Sequence, residues 1–151
     1  MIDTKFLEKF VPPLELKTLL EGTRGEEKQY FSELIKDLTE TIKSVPPIGA
    51  NEELGLSAPV KLHYFGGAND WWISELDKDD GIAFGYACIN GWTDSAELGY
   101  VSIPELLEIR YPVEVEIANT GKRVETRIPI ELDLYWKEKT LAEVIKSVQG
   151  K

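Results

Sequence analysis

His63 and Cys88 are the one histidine and the one cysteine of the chain, and acid–base or nucleophilic chemistry would have to begin with them. A serine or cysteine nucleophile ordinarily needs a base, most often histidine, held in turn by a third group. Both residues lie inside apolar, alternating runs, Lys61 to Asp77 and Ile82 to Cys88. Alternation of sheet faces accounts for them without any reaction, so they are read as structural. Asp77, Asp79 and Asp80 before Gly81 offer oxygen ligands at alternate positions, as a calcium loop does. An EF-hand loop starting at Asp77 needs its glycine where Ile82 stands and a carboxylate where Cys88 stands, so the stretch reads as an acidic turn. Gly66-Gly67 lacks the helix and the lysine of a phosphate loop. With 27 acidic residues many carboxylate pairs could be drawn for glycoside chemistry, but nothing selects one. No catalytic residue, metal-ligand set or cofactor is predicted.

Binding chemistry has better candidates. Tyr64, Trp71, Trp72, Tyr86, Trp92 and Tyr100 form an aromatic group that could line a groove, because Trp and Tyr dominate binding hot spots. Core packing explains most of them. Trp92, in a loop with polar neighbours, is expected to be exposed. The residues singled out for binding are Trp92, the loop acids Asp77, Asp79 and Asp80, and Glu97.

The elements that must position these residues follow from hydrophobic periodicity. Asp3 to Val11 has helical spacing behind an Asp3 or Thr4 cap, and Leu14 to Leu20 makes a short second helix stopped by Gly22. From Glu26 to Val45 an apolar stripe through Leu34, Ile35, Leu38 and Ile42 predicts an amphipathic helix, ended by Pro46-Pro47 and packed on the chain's own sheet. Residues 48–59 read as a loop. Val60 to Phe65 is a strand with Val60, Leu62 and Tyr64 on one face. Asp70 to Asp77 carries Trp71 and Ile73 on one face and Trp72 and Leu76 on the other. Ile82 to Cys88 has a small-residue face, Ala83, Gly85 and Ala87, that admits a close neighbour. Leu98 to Val101 is a strand, and Ser102 caps a helix running to Arg110 with Glu105 completing a capping box.

Tyr111 to Ile117 and Arg123 to Ile130 form an alternating hairpin. Pairing Ile117 with Val124 and Val113 with Ile128 keeps the apolar face together, and it sets Glu114 across from Arg127 while Glu116 meets Glu125. Leu132 to Trp136 is extended, and Thr140 with Glu143 opens a terminal helix through a capping box. The expected fold is therefore α+β, a single domain over residues 1–151 built on an antiparallel sheet with helices mainly on one face. Residues 1–59 form its helical part, 60–136 its sheet core with one internal helix, and 140–149 its last helix.

Charge narrows the partners. Lys and Arg number 17 against 27 acids, a formal net charge of −10, so the surface repels phosphate backbones and anionic membranes. Direct nucleic-acid binding is not expected. No apolar run approaches the ~20 residues of a bilayer span, and the lone thiol fits a reducing compartment, so the chain reads as cytoplasmic.

The motifs KLHYFGGANDWWISELD, AFGYA, ELGYVSIPELLEIR and ELDLYWKEKTLAEV, in that order, resemble a domain-of-unknown-function family of small bacterial proteins carried by plasmids, conjugative elements and phages. The resemblance rests on Trp71, Ser74 and Glu75, on Phe84 to Tyr86, on Glu97 to Tyr100 with Ser102, Glu105 and Leu106, on Asp133 to Trp136, and on Thr140, Leu141 and Glu143. The helix of residues 26–45 and the long 111–130 hairpin depart from that pattern. The resemblance implies a mobile-element setting and no reaction. The leading functional expectation is an acidic accessory protein acting by binding a protein partner, in the manner of an anti-restriction or anti-defence inhibitor. The alternative is a small-ligand binder or enzyme using an aromatic and carboxylate-lined pocket. A third reading is a homodimer formed through an exposed hairpin edge.

Overall fold

A five-stranded antiparallel sheet takes shape from the alternating segments after Val60. The computed structural model describes residues 2–150. Three helices come first: α1 (Thr4–Glu8), whose Asp3 carboxylate accepts from Phe6 N–H, α2 (Pro13–Gly22) and α3 (Lys28–Ser44). The strands are β1 (Pro59–Val60), β2 (Leu62–Gly66), β3 (Asn69–Leu76), β4 (Ile82–Cys88) and β5 (Glu97–Ser102), followed by the single turn α4 (Ile103–Leu106). Then come β6 (Arg110–Glu116), β7 (Arg123–Pro129), β8 (Glu131–Leu132), β9 (Lys139–Thr140) and α5 (Leu141–Gln149). The main sheet has the order β5-β4-β3-β2-β8; β1 pairs with β9, and β6 with β7, as separate ladders. The α+β expectation holds, with five helices around antiparallel strands.

Helices pack on both faces of the main sheet, most of them on one. The α3 stripe Ile35, Leu38 and Ile42 joins Leu7, Phe10, Leu62, Tyr64, Trp71, Ile73 and Leu106 in the larger core. On the other face α5 presents Leu141, Val144 and Val148 to Val60, Trp72, Tyr86 and Cys88. Thr140 and Glu143 form the reciprocal capping box at the start of α5, a device worth about 1 kcal/mol. Buried Tyr64 donates its hydroxyl to Phe10 O at 2.5 Å, tying the turn after α1 to β2, and burial pushes this phenol upward.

Five expectations need correction. Pairing runs Ile73 with Gly85 and then Glu75 with Phe84, so Ser74 is an extra residue in β3. This bulge re-phases the strand and brings Leu76 onto the face of Ile73, away from Trp72. Gly85 is required there, because a Cβ would lie 1.8 Å from Trp72 O. The segment through Val60 also breaks: Val60 leaves the Leu62–Tyr64 face and packs under α5 through the β1–β9 ladder. Likewise, the helix after Ser102 lasts one turn, and Arg110 already begins β6. Beyond β8 the segment 133–136 turns at Asp133, whose Oδ1 accepts from Tyr135 N–H at 3.0 Å.

The hairpin register is the fifth correction. Val115 faces Val124 and Glu114 faces Glu125, two residues from the expected pairing. Loop chemistry decides this: Asn119 and Gly121 both take positive φ, and Ile117 N–H closes on Lys122 O at 2.8 Å. A two-residue slide keeps every side chain on its face, so the alternation could not reveal it. The like-charged pair is relieved diagonally by Arg123 to Glu114 (3.4 Å) and Arg127 to Glu125 (3.7 Å). The hairpin also leaves the sheet, with Val115, Ile117 and Val124 all exposed rather than buried. Its base is anchored where the Tyr111 ring lies on Gly66 and Gly67.

Candidate functional site

The β3 bulge builds a groove. It turns Glu75 toward the α5 face, where the carboxylate, only 6% exposed, accepts Gly49 N–H at 3.0 Å and Asn51 N–H at 2.7 Å. Asn51 Nδ2 in turn donates to Ser74 O at 3.2 Å, and the Ser74 hydroxyl donates to Phe84 O at 3.3 Å. These bonds pin the 49–58 loop as a wall standing opposite β5. Between wall and strand lies a hollow of about 490 Å³ whose apolar lining includes Leu56, Phe84, Leu98, Tyr100 and Leu141. Phe84 and Tyr100 meet edge to face at 5.3 Å. Tyr100 is 69% exposed and Leu98 39%, large apolar surfaces left to water.

Strand β5 borders this groove and ends the sheet. Its six residues pair with β4 on one side only, and no backbone group of residues 97–101 bonds to anything on the other. The Ser74 hydroxyl and both oxygens of Glu75 are engaged with backbone groups. The groove can bind, through apolar surface and a free row of backbone N–H and C=O groups.

A second constellation surrounds His63. Its Nε2 lies 2.8 Å from Asp70 Oδ1 and its Nδ1 3.2 Å from Asp133 Oδ2. The ring stacks on Trp72 at 5.2 Å with planes 4° apart, and Phe65 and Trp136 flank it. The arrangement clamps β8 to β2, because Asp133 N–H also donates to His63 O at 2.8 Å. Beside it is a hollow of about 330 Å³ lined in part by Asp70, Trp72, Trp136 and Lys139. Among the described residues no group of three or more His, Cys, Asp or Glu is placed to hold a metal ion.

The residues singled out from sequence are distributed over three places. Asp77, Asp79 and Asp80 share one turn, where Asp77 Oδ1 accepts Asp79 N–H at 2.9 Å and Asp80 Oδ1 accepts Ile82 N–H at 2.9 Å. Trp92 is exposed as expected, at 64%, in the loop beyond the far end of β4, a strand length of ~20 Å from that turn. Glu97 opens β5 and flanks the groove. Sequence reasoning passed over Ser74 and Glu75 as site residues and placed Tyr100 in the core. Nothing local marks them, because the groove needs the bulge and a loop 26 residues away from Glu75. It also missed the two aspartates of His63, which stand 7 and 70 residues from it.

One further acid is unusual. Glu15 of α2 accepts Leu132 N–H at 2.8 Å, and burial first, then the nearby Glu131 and Asp133, raise its carboxyl to about 7 against the opposing effect of that bond.

A family model described as "Protein of unknown function (DUF2958)" matches residues 49–146, and the chain belongs to that family. The match opens at the groove wall and runs into α5, whereas α1 to α3 lie outside it. No curated protein and no solved structure matches the chain. No helix among the described residues is long and apolar enough to cross a membrane.

Proposed function

We propose that this DUF2958 member is a protein-binding protein whose working surface is the groove along β5. The observation that carries this reading is an unpaired edge strand six residues long beside an apolar hollow, with Leu98 and Tyr100 exposed on it. Long apolar edges invite added strands, and proteins ordinarily cover, shorten or charge them. The groove residues Ser74, Glu75, Phe84, Leu98 and Tyr100 all lie within the stretch that the family model matches. Within this reading the chain is an acidic accessory protein of a mobile element, and an inhibitor of restriction or defence enzymes is the kind of factor its charge suits. The test is site-specific photocrosslinking in producing cells. A photoreactive residue in place of Tyr100 should capture one protein that the same residue in place of Tyr135, equally exposed on another surface, does not. Identical adducts at both positions, or none at Tyr100, would overturn the reading.

The second reading, a small-ligand binder or enzyme, is favoured by one observation: the hollow beside His63 combines Trp72, Trp136 and the Asp70 carboxylate. A thermal-shift screen of small aromatic amines and nucleosides tests it. Hits that vanish in Lys139→Ala, a change at an exposed lining residue, would support it; hits indifferent to that change would count against it.

A further inference from the structure

The open edge of β5 is a receptor of definite chemistry, and its charge selects among the occupants that an edge strand can take. Between Ser44 and Lys61, and again between Lys78 and Arg110, the chain contains no lysine or arginine. Those two stretches supply the groove wall, β4 and β5. They do contain Glu52, Glu53, Asp94, Glu97 and Glu105, all of them exposed. The groove itself is lined by apolar side chains with Glu52 and Glu75 and by no lysine or arginine, and Glu97 stands on the other face of β5.

A second copy of the chain would bring up another molecule of formal charge −10, with no lysine or arginine in either groove wall or β5 to offset it. A nucleic-acid backbone would meet the same repulsion. A cationic chain gains from every one of these groups.

The face alternation of β5 specifies more. Leu98 and Tyr100 pair with Tyr86 and Phe84 and so point to the groove side, while Glu97, Gly99 and Val101 point to the other. A strand laid along β5 would place alternate side chains over the Leu98–Tyr100 surface and the intervening ones beside Glu97. Resting on the protein-binding reading above, we infer that the occupant is an extended segment of a basic protein with apolar and cationic residues in alternation, added to the sheet as a sixth strand beyond β5. The main-chain bonds supply affinity without sequence preference, the groove reads the apolar positions, and Glu97, on the opposite face with the intervening side chains, reads the cationic ones. The Glu75 clamp holds the 49–58 wall in place before the segment arrives, so little ordering remains to oppose binding.

The inference is tested on the full chain by calorimetric titration with capped peptides of about seven residues, enough to span β5. The first alternates lysine with valine, the second has the same composition in blocks, the third replaces lysine by glutamate, and the fourth is the first with N-methyl groups along one edge. The alternating lysine peptide should bind about tenfold more tightly than the block peptide. The glutamate and N-methylated peptides should not bind, and Tyr100→Lys should weaken the first by a similar factor. Equal binding of alternating and block peptides would reduce the effect to general charge attraction and overturn the inference. Binding that survives Tyr100→Lys would overturn it as well, by placing the peptide elsewhere. If no peptide binds while crosslinking from position 100 still captures a specific protein, the protein-binding reading stands and the chemistry assigned to its partner falls.

Discussion

The two edges of the main sheet are treated in opposite ways. At one edge β8 is only two residues long, and its Leu132 N–H, which would otherwise face outward, is taken by Glu15 from α2. The His63 ring and backbone clamp the turn that follows, and α2 and α3 stand beside it. At the other edge β5 is six residues long, apolar on its groove side and unpaired. One sheet therefore shows both a defended and an undefended border. The contrast teaches that the open edge is not a general looseness of the fold. The helices that close the first edge lie outside the family match, whereas the open edge lies wholly inside it. The family match thus includes both edge strands but only one of them with its cover, since α1 to α3 beside β8 fall outside it.

The largest expected effect comes from attacking the bulge on which the open side is built. Gly85→Ala sets a Cβ against the Trp72 carbonyl, with no flexible side chain to yield, and should destabilise the protein by more than ~4 kcal/mol or prevent folding, measured by urea unfolding. Next is the clamp. Glu75→Leu leaves the Gly49 and Asn51 N–H groups without their acceptor and should cost roughly 2–4 kcal/mol. Hydrogen exchange should then quicken at those two amides while the Leu132 amide at the defended edge stays protected. Equal loss of protection at both edges would mean that the clamp supports the whole sheet and not the groove wall.

A smaller change probes the defended edge through pH. Glu15 in the folded protein titrates near 7, above its ordinary value of 4.5, so the native state holds the extra proton between those limits. The stability it contributes is fully present below pH 4.5 and is lost as pH rises through about 7. Glu15→Gln keeps an acceptor for Leu132 N–H and carries no charge. It should raise stability at pH 8 by roughly 1–2 kcal/mol, after allowance for partial exposure, and change little near pH 4.5. Melting temperatures across that range decide it, and a gain that did not grow with pH would show that the carboxylate is not the strained group. The smallest effect on stability belongs to the open edge itself. Tyr100→Lys at a 69% exposed position should shift stability by less than about 0.5 kcal/mol while weakening binding of the alternating lysine peptide about tenfold.

The helices and turns were legible because their signals are local. The α3 stripe, the Asp3 cap and the Thr140–Glu143 box each lie within a few turns of chain, and all are found. The exposure of Trp92 followed from its polar neighbours in the same way. The helix after Ser102 was read too long because its start signal is local but its stop is not: Arg110 is drawn into β6 by a partner strand whose pairing residue is Pro129. The hairpin slide escaped for a different reason, since a shift of two preserves the face of every residue.

Composition, periodicity and caps thus determined the class of the fold, the number of helices and the acidity of the surface, because those properties depend on neighbours along the chain. Tertiary structure alone decided which strand became the bare edge, where the bulge fell and which carboxylates were consumed. Glu15 meets Leu132 across 117 residues, and Glu75 meets a loop that no pattern around it announces. An edge is defined by the absence of a neighbour, and that is settled only when every other strand has found its place.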